Sequence, residues 1–303
     1  MSEIVEIPCS KLRSPSWSVA DQAAALAQLE DSNVLFIPGL GIDIKPAEKL
    51  LFDENAALID GVQKNITLDP LCKRTSGVVH GSPLRATVDS LMERYRDAVE
   101  DWLQLLFGDH GKQFTAQRTT FRPVEIKDRK KIGKASTSGQ YKFDDSLLHT
   151  DAFKVRPMVN RRILRVFNNI NPHGEPRLWK VGGDFNAYAK RYVDSIRKPL
   201  PGEFAALKLL RLTRWRRSLY DHVMLNLHDK GKADQEFQAS SPQTLFEFPP
   251  HSVWLCFTDS VLHAALRGRY ALEQTFEITV EDMADPSKSP QKRLEALMGQ
   301  AVY

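Results

Sequence analysis

Cysteine is scarce in this 303-residue chain: Cys9, Cys72 and Cys256 are odd in number and scattered. They form neither a disulfide framework nor a CxxC zinc pair. No run of 18 apolar residues occurs, so no helix is expected to span a membrane. The N-terminal stretch MSEIVEIPCSKLRSP has no apolar run behind a basic start, and a cytoplasmic protein without a secretory signal is the expectation. Phosphate-loop, GxSxG and HExxH motifs are missing, and Gly39-Leu40-Gly41 lacks the third glycine and following helix of a dinucleotide fingerprint. Those absences remove nucleotide hydrolysis, serine esterase chemistry, zinc proteolysis and Rossmann-type redox chemistry.

What remains is an ordinary globular composition, with 42% apolar, 26% charged and 9% aromatic residues. The net charge of +4 hides an asymmetry, because Lys154 to Arg217 holds sixteen Lys/Arg against four Asp/Glu. That local +12 favours an anionic partner such as acidic headgroups or an acidic sugar. Few aromatics are interleaved with the charges and no nucleic-acid module is recognisable, so nucleic acid is not the expected partner.

The chain reads as helical first and strand-rich later. Ser18 opens a helix to about Leu29, and Val34 to Ile37 form a strand stopped by Pro38-Gly39. Ser82 and Pro83 start a helix whose stripe is Leu84, Val88, Leu91, Tyr95, Val99, Trp102 and Leu106, closed by Gly108. Short strands follow from Thr115: one ending in Phe121, one around Leu147 to Asp151, one from Arg162 to Ile170, then Ser252 to Thr258 and Tyr270 to Val280. A helical insert is predicted over about 186–232, and Ser289-Pro290 opens a C-terminal helix over about 289–303. The reading is one α+β domain over 1–303 with a mainly β jelly-roll core. Its helical layer covers about 1–112, and the core with its insert about 113–285.

His149-Thr150-Asp151 is the central chemical feature. Alternate residues of an extended segment project the same way, so an imidazole and a carboxylate here can hold two adjacent corners of an octahedral metal. A second histidine completes the facial triad of non-heme Fe(II) oxygenases and leaves three positions open. HxD alone matches often by chance. For the third ligand, His222 and His228 fall in the helical insert, His251 follows Pro249-Pro250, and His173-Gly174-Glu175 competes as an HxE variant inside a glycine- and proline-bearing loop. His263, late in the chain on a segment able to pair back, is preferred.

Several blocks resemble the Kdo (3-deoxy-D-manno-oct-2-ulosonic acid) hydroxylase family, in the family's order over roughly 30–300: TTFRPVEI at 119–126, LHTDAF at 148–153, RRILRVFNNINP at 161–172, GEPR at 174–177, YDHVMLNLHD at 220–229, FTDSVLHAAL at 257–266 and ALEQTF at 271–276. The resemblance implies a double-stranded β-helix and an Fe(II)- and 2-oxoglutarate-dependent dioxygenase. It further implies that O2 is used to hydroxylate C3 of Kdo in lipopolysaccharide, giving Ko. His149, Asp151 and His263 carry over as iron ligands. The implied substrate is Kdo-bearing lipid A, met on the cytoplasmic face of the inner membrane of a Gram-negative bacterium by a peripherally attached protein. A relative acting on another anionic sugar or acyl substrate, or a silent jelly roll binding acidic carbohydrate, are the alternatives.

The distal carboxylate of 2-oxoglutarate needs a cation, since burying that charge unpaired costs several kcal/mol. The alternating apolar set Tyr270, Leu272, Gln274, Phe276 and Ile278 is taken as the inward face of the last strand; it carries no Arg, only the amide of Gln274. Ile163, Arg165, Phe167 and Asn169 share one face of an earlier strand, so Arg165 is the predicted partner, with Asn169 beside it and Arg162 in reserve. Arg122, Lys154 and Arg156 flank the predicted metal strands and are assigned to the substrate's anionic groups. On a helical wheel the basic residues of 208–217 fall all around, which favours a collar touching anionic headgroups over insertion.

Overall fold

The computed structural model describes residues 1–53, 58, 65–71, 74–126 and 140–303. Cys72 lies outside them, while Cys9 and Cys256 are free thiols. The strands are β1 (Ile4–Glu6), β2 (Val34–Pro38), β3 (Ile66–Asp69), β4 (Arg74–Ser76), β5 (Thr115–Arg122), β6 (Arg161–Asn169), β7 (Arg177–Gly182), β8 (Gln243–Phe248), β9 (Ser252–Phe257), β10 (Leu262–Arg267) and β11 (Ala271–Thr279). The α-helices are α1 (Cys9–Leu12), α2 (Val19–Glu30), α3 (Arg85–Phe107), α4 (Phe185–Tyr192), α5 (Glu203–Leu209), α6 (Leu219–Ala233), α7 (Gln235–Ser240) and α8 (Pro290–Met298).

Among the described residues eight strands form one sheet in the order β1-β2-β9-β6-β11-β5-β3-β4, and three form a second in the order β10-β7-β8. Together with the flanking helices they make an α+β jelly roll. One face of the large sheet packs against α2 and α3. Leu164, Val166, Leu255, Leu272, Phe276 and Ile278 meet Val88, Leu91, Tyr95 and Val99 there, and Tyr95 Oη donates to Val166 O at 2.9 Å. The other face meets the small sheet, with Phe167 and Trp254 packed on Trp179 and Phe248. Each fully buried aromatic or branched side chain contributes about 1.5–3 kcal/mol, so both layers are strongly fixed.

Helix signals in the sequence act as read at several ends. Ser18 and Asp21 form a capping box on α2, Ser289 with Pro290 opens α8, and Gly108 closes α3. The start of α3 differs by two or three residues: Ser82-Pro83 form a turn and the helix begins at Arg85. The predicted helical insert is present as three α-helices. It breaks at Pro199 and Pro201, where prolines remove helical N–H donors, and again before the Ser218–Asp221 capping box of α6. Leu209, Leu210 and Leu212 stand exposed at the break after α5.

Six strands escaped the sequence reading: the short β1, β3 and β4 at the edges of the large sheet, and β7, β8 and β10. β7 lies in a stretch read as loop because Gly174 and Pro176 precede it, β8 leads into Pro249-Pro250, and β10 holds His263 itself.

Candidate active site

The HxD pair sits in an extended segment rather than inside a strand. His149 N–H donates to His263 O at 3.0 Å and His263 N–H to His149 O at 2.9 Å, a single bridge onto β10. Two residues on, Asp151 N–H donates to Thr258 O at 2.7 Å, just past β9. The segment therefore crosses from the small sheet to the large one, and alternation turns both side chains into the gap between them.

The ligand atoms of His149, Asp151 and His263 all lie within 4.8 Å of one another. Nδ1 of His149 is 2.7 Å from Leu147 O, and Nδ1 of His263 is 3.0 Å from Val261 O. A backbone carbonyl accepts only from a protonated Nδ1, which leaves the Nε2 lone pair of each ring directed to the shared space. Burial pushes both imidazoles toward the neutral form, for His149 with help from His263 and Lys232. Burial acts to raise the Asp151 carboxyl, but the Arg165 guanidinium, the two imidazoles and a hydrogen bond from Thr258 together outweigh it and hold the group well below the usual carboxylate range. Two neutral imidazole nitrogens and one carboxylate on one side of an open space fit an octahedral Fe(II) with three positions for other ligands.

A chain of alternating charges runs from this triad across the large sheet. Arg165 Nε is 2.9 Å from Asp151 Oδ2 and its Nη1 is 3.0 Å from Glu273 Oε1. Arg122 Nε donates to Glu273 Oε2 at 2.8 Å. Glu273 is 3% exposed at its side chain, so its charge is tolerable only because both guanidiniums meet it.

Two cavities adjoin this chain. The first, of about 370 Å³, is lined by the triad, Arg122, Arg165 and Arg177, and by Trp179, His228 and Lys232. Trp179 stacks on His263 with ring centroids 5.4 Å apart, and its buried Nε1 has no hydrogen-bond partner among the described residues. An indole donor left unpaired in the wall beside the metal ligands suits an oxygen-rich ligand such as 2-oxoglutarate. The second cavity, of about 450 Å³, is lined by Arg122, Lys154, Arg156 and Arg165 among others. All three residues predicted to meet substrate thus line one cavity, which shares Arg122 and Arg165 with the cavity that holds the triad.

Three predicted cosubstrate residues are not brought to the site. Gln274 lies on the opposite face of β11, accepting from Thr119 Oγ1 at 2.5 Å and donating to Gln117 O. The apolar alternation of β11 faces α3, and the site face is Glu273, Thr275 and Glu277. Both faces of this sheet are covered, so the greasier one marked the helical layer rather than the site. Asn169 shares the face of Arg165, but its amide donates to Glu175 O and Phe248 O and accepts from Asn171 N–H, fixing a turn. Arg162 faces the helical layer, with its Nη2 2.9 Å from Asp259 Oδ1 and 2.7 Å from Ser260 Oγ, over the Phe257 ring.

His173 stays in its turn, 6.0 Å between ring centroids from Tyr270, and His222 Nε2 meets Arg197 O on the outer helices. Sequence reasoning gave no role to Arg177, Trp179 or Lys232, and it set His228 aside as a residue of the helical insert although it lines the first cavity. A period-two run, Arg177, Trp179, Val181, marked β7. The i,i+4 pair His228 and Lys232 beside the buried stripe of α6 marked a second polar face.

The profile of the 3-deoxy-D-manno-oct-2-ulosonic acid (Kdo) hydroxylase family matches residues 14–301. No curated protein matches the chain. Among solved structures, the Kdo hydroxylase KdoO, a non-heme Fe(II) alphaketoglutarate dependent dioxygenase, in complex with cobalt(II) is similar at 39% identity and a TM-score of 0.89, over 99% of this chain and 97% of that one. Its complex with alphaketoglutarate and Fe(III) gives 38%, 0.88, 99% and 97%, and its complex with succinate and Fe(III) gives 38%, 0.87, 99% and 97%. With the matched profile spanning nearly its whole length and the triad in place, this chain belongs to the Kdo hydroxylase family.

Proposed function

We propose that this protein hydroxylates C3 of Kdo in Kdo-bearing lipid A to give Ko, using Fe(II), 2-oxoglutarate and O2. The observation that carries the reading is the His149, Asp151 and His263 set, with both Nδ1 atoms anchored to backbone carbonyls and all ligand atoms within 4.8 Å. When bound there, Fe(II) supplies the oxidation of 2-oxoglutarate to succinate and carbon dioxide that is coupled to hydroxylation. The residues' own work is positioning. The Val261 and Leu147 carbonyls fix the rings, Arg165 holds the Asp151 carboxylate, and Trp179 and Phe167 wall the cavity against water.

Arg165 is proposed as a partner of the distal carboxylate of 2-oxoglutarate. It lines the first cavity together with Arg177, and two carboxylates already share its charge, so Arg177 is proposed to assist. Arg122, Lys154 and Arg156 are proposed to receive anionic groups of the substrate.

Attachment to the cytoplasmic face of an anionic membrane is part of the same proposal. No helix of the described residues is long and apolar enough to cross a membrane. Lys208, Arg211, Arg214 and Arg216 are exposed around α5, where each cation close to such a surface is worth about 1 kcal/mol. Leu209, Leu210 and Leu212 add an apolar component beside them. Comparing the mass of Kdo-containing lipid from cells with and without this protein tests the whole reading. One added oxygen on the sugar supports it, and an unchanged sugar mass refutes it.

A further inference from the structure

Six cations and three threonines line the second cavity, together with Phe153, Val155 and the carboxylate of Glu273. Its floor is the site face of the large sheet, where Thr67 of β3, Arg118, Thr120 and Arg122 of β5, Arg165 of β6 and Thr275 of β11 line it. Register explains the convergence: Thr120 pairs with both Thr67 and Glu273, and Arg165 pairs with Thr275, so these side chains stand on one face. The wall opposite comes from Lys154, Val155, Arg156 and Arg214, with Arg214 N–H pinned to Val155 O at 2.8 Å.

Counting charge decides what such a cavity takes. The six cations Arg118, Arg122, Lys154, Arg156, Arg165 and Arg214 are met by four carboxylates, those of Asp69, Asp151, Glu273 and Glu277. A surplus of two positive charges remains, and a metal dication on Asp151 enlarges it. Among the described residues Lys154 and Arg214 make no ion pair. The surplus is felt locally: burial and the neighbouring Arg161, Arg118 and Arg214 push the Arg156 guanidinium down to about 10. Concentrating like charges in a half-enclosed space destabilises the fold unless an anion compensates, and guanidinium forks with hydroxyl donors match the oxygens of a phosphate.

We infer that this cavity is a subsite for a phosphate monoester dianion carried by the substrate, adjoining the hydroxylation site through the shared Arg122 and Arg165. Lys154 and Arg214 supply the uncommitted charge, and Thr67 and Thr120 supply hydroxyl donors. The inference deepens the Kdo-lipid reading and rests on it only for the molecule that carries the phosphate. Shared walls mean that an anchored phosphate fixes how far the sugar reaches toward the triad, which is the positioning a hydroxylation at one carbon requires.

Two measurements on the full-length protein test this. Calorimetric titration of inorganic phosphate into the metal-free protein, against chloride at equal ionic strength, should show binding that weakens about tenfold or more in the Lys154→Gln, Arg214→Gln double variant, as loss of charge-assisted hydrogen bonds implies. Wild-type protein that prefers phosphate no more than chloride, or a double variant that binds it as tightly as wild type, overturns the subsite. Separately, kcat/KM is compared for a phosphorylated Kdo lipid and its phosphatase-treated counterpart in neutral detergent. Wild type should favour the phosphorylated lipid by about tenfold and the double variant should lose that preference. Equal use of both lipids by wild type overturns the substrate as carrier, leaving a phosphatidic acid headgroup as the source of any phosphate bound. Hydroxylation of neither lipid refutes the Kdo reading instead, and the phosphate titration still decides the cavity.

Discussion

Replacing Arg162 by Met should destabilise the fold by roughly 3–5 kcal/mol while leaving 2-oxoglutarate binding unaltered. The side chains of Arg162 and Asp259 are 0% and 2% exposed, and they meet through contacts of 2.9 and 3.2 Å. Removing the guanidinium strands a buried carboxylate whose pKa burial already raises against the pull of Arg162. It also removes one hydrogen bond from Ser260 Oγ, in the turn that leads through Val261, whose carbonyl orients the His263 ring, into β10. With about 2.1 cal/mol/K of unfolding entropy per residue, the loss corresponds to a Tm lowered by about 5–8 °C. The double variant Arg162→Met, Asp259→Leu should recover most of that, since apolar replacement of a whole buried pair is often neutral. Circular dichroism melts of the three proteins, with a 2-oxoglutarate titration well below Tm, read both quantities. An Arg162→Met protein of unchanged Tm whose 2-oxoglutarate requirement rises severalfold would refute the reasoning and return Arg162 to the site.

Other perturbations separate the parts of the site. His149→Ala, Asp151→Ala and His263→Ala should each abolish hydroxylation while circular dichroism shows a folded protein, and His173→Ala should retain most activity; the reverse result for His173 and His263 would exchange the third ligand. Arg165→Ala should raise the 2-oxoglutarate concentration needed for half-maximal turnover about tenfold or more, whereas Gln274→Ala, on the far face of β11, should change it less than about twofold. An unchanged requirement in Arg165→Ala would remove that residue from cosubstrate binding. Vesicles of acidic lipid should bind the protein at low salt. Arg211→Gln with Arg216→Gln should weaken this attachment, and Leu209→Ser with Leu210→Ser should make what remains releasable by salt alone. No binding at low salt would reduce the segment to a solvated charged surface.

The site was legible where chemistry is local and obscure where it depends on which side of a sheet is covered. His149, Asp151 and His263 stand out because an HxD pair and a late histidine form a recognisable donor set. Arg165 stands out because an arginine between Ile163 and Phe167 must find an anion. β11 misled for a definite reason. Leu272, Phe276 and Ile278 alternate as an inward face should, but the layer they meet is α3, and the charged Glu273 and Glu277 are the ones turned to the site. No property of the strand alone says which of two buried faces holds the chemistry. The helical insert was legible as helix, but its prolines and the Ser218 cap divide it into segments. Arg177 and Trp179 went unnoticed because Gly174 and Pro176 drew attention to the turn rather than to the strand after it.

The central claim is that His149, Asp151 and His263 form a centre that couples 2-oxoglutarate oxidation to hydroxylation of the Kdo sugar. Purified protein supplied with Fe(II), 2-oxoglutarate, air and a Kdo-bearing lipid tests it most directly, with succinate and the mass of the released sugar measured together. The account predicts one added oxygen per Kdo modified, succinate formed in step with it, and neither product from the Asp151→Ala protein. Succinate without any gain in sugar mass, or a hydroxylated sugar from Asp151→Ala, would contradict it.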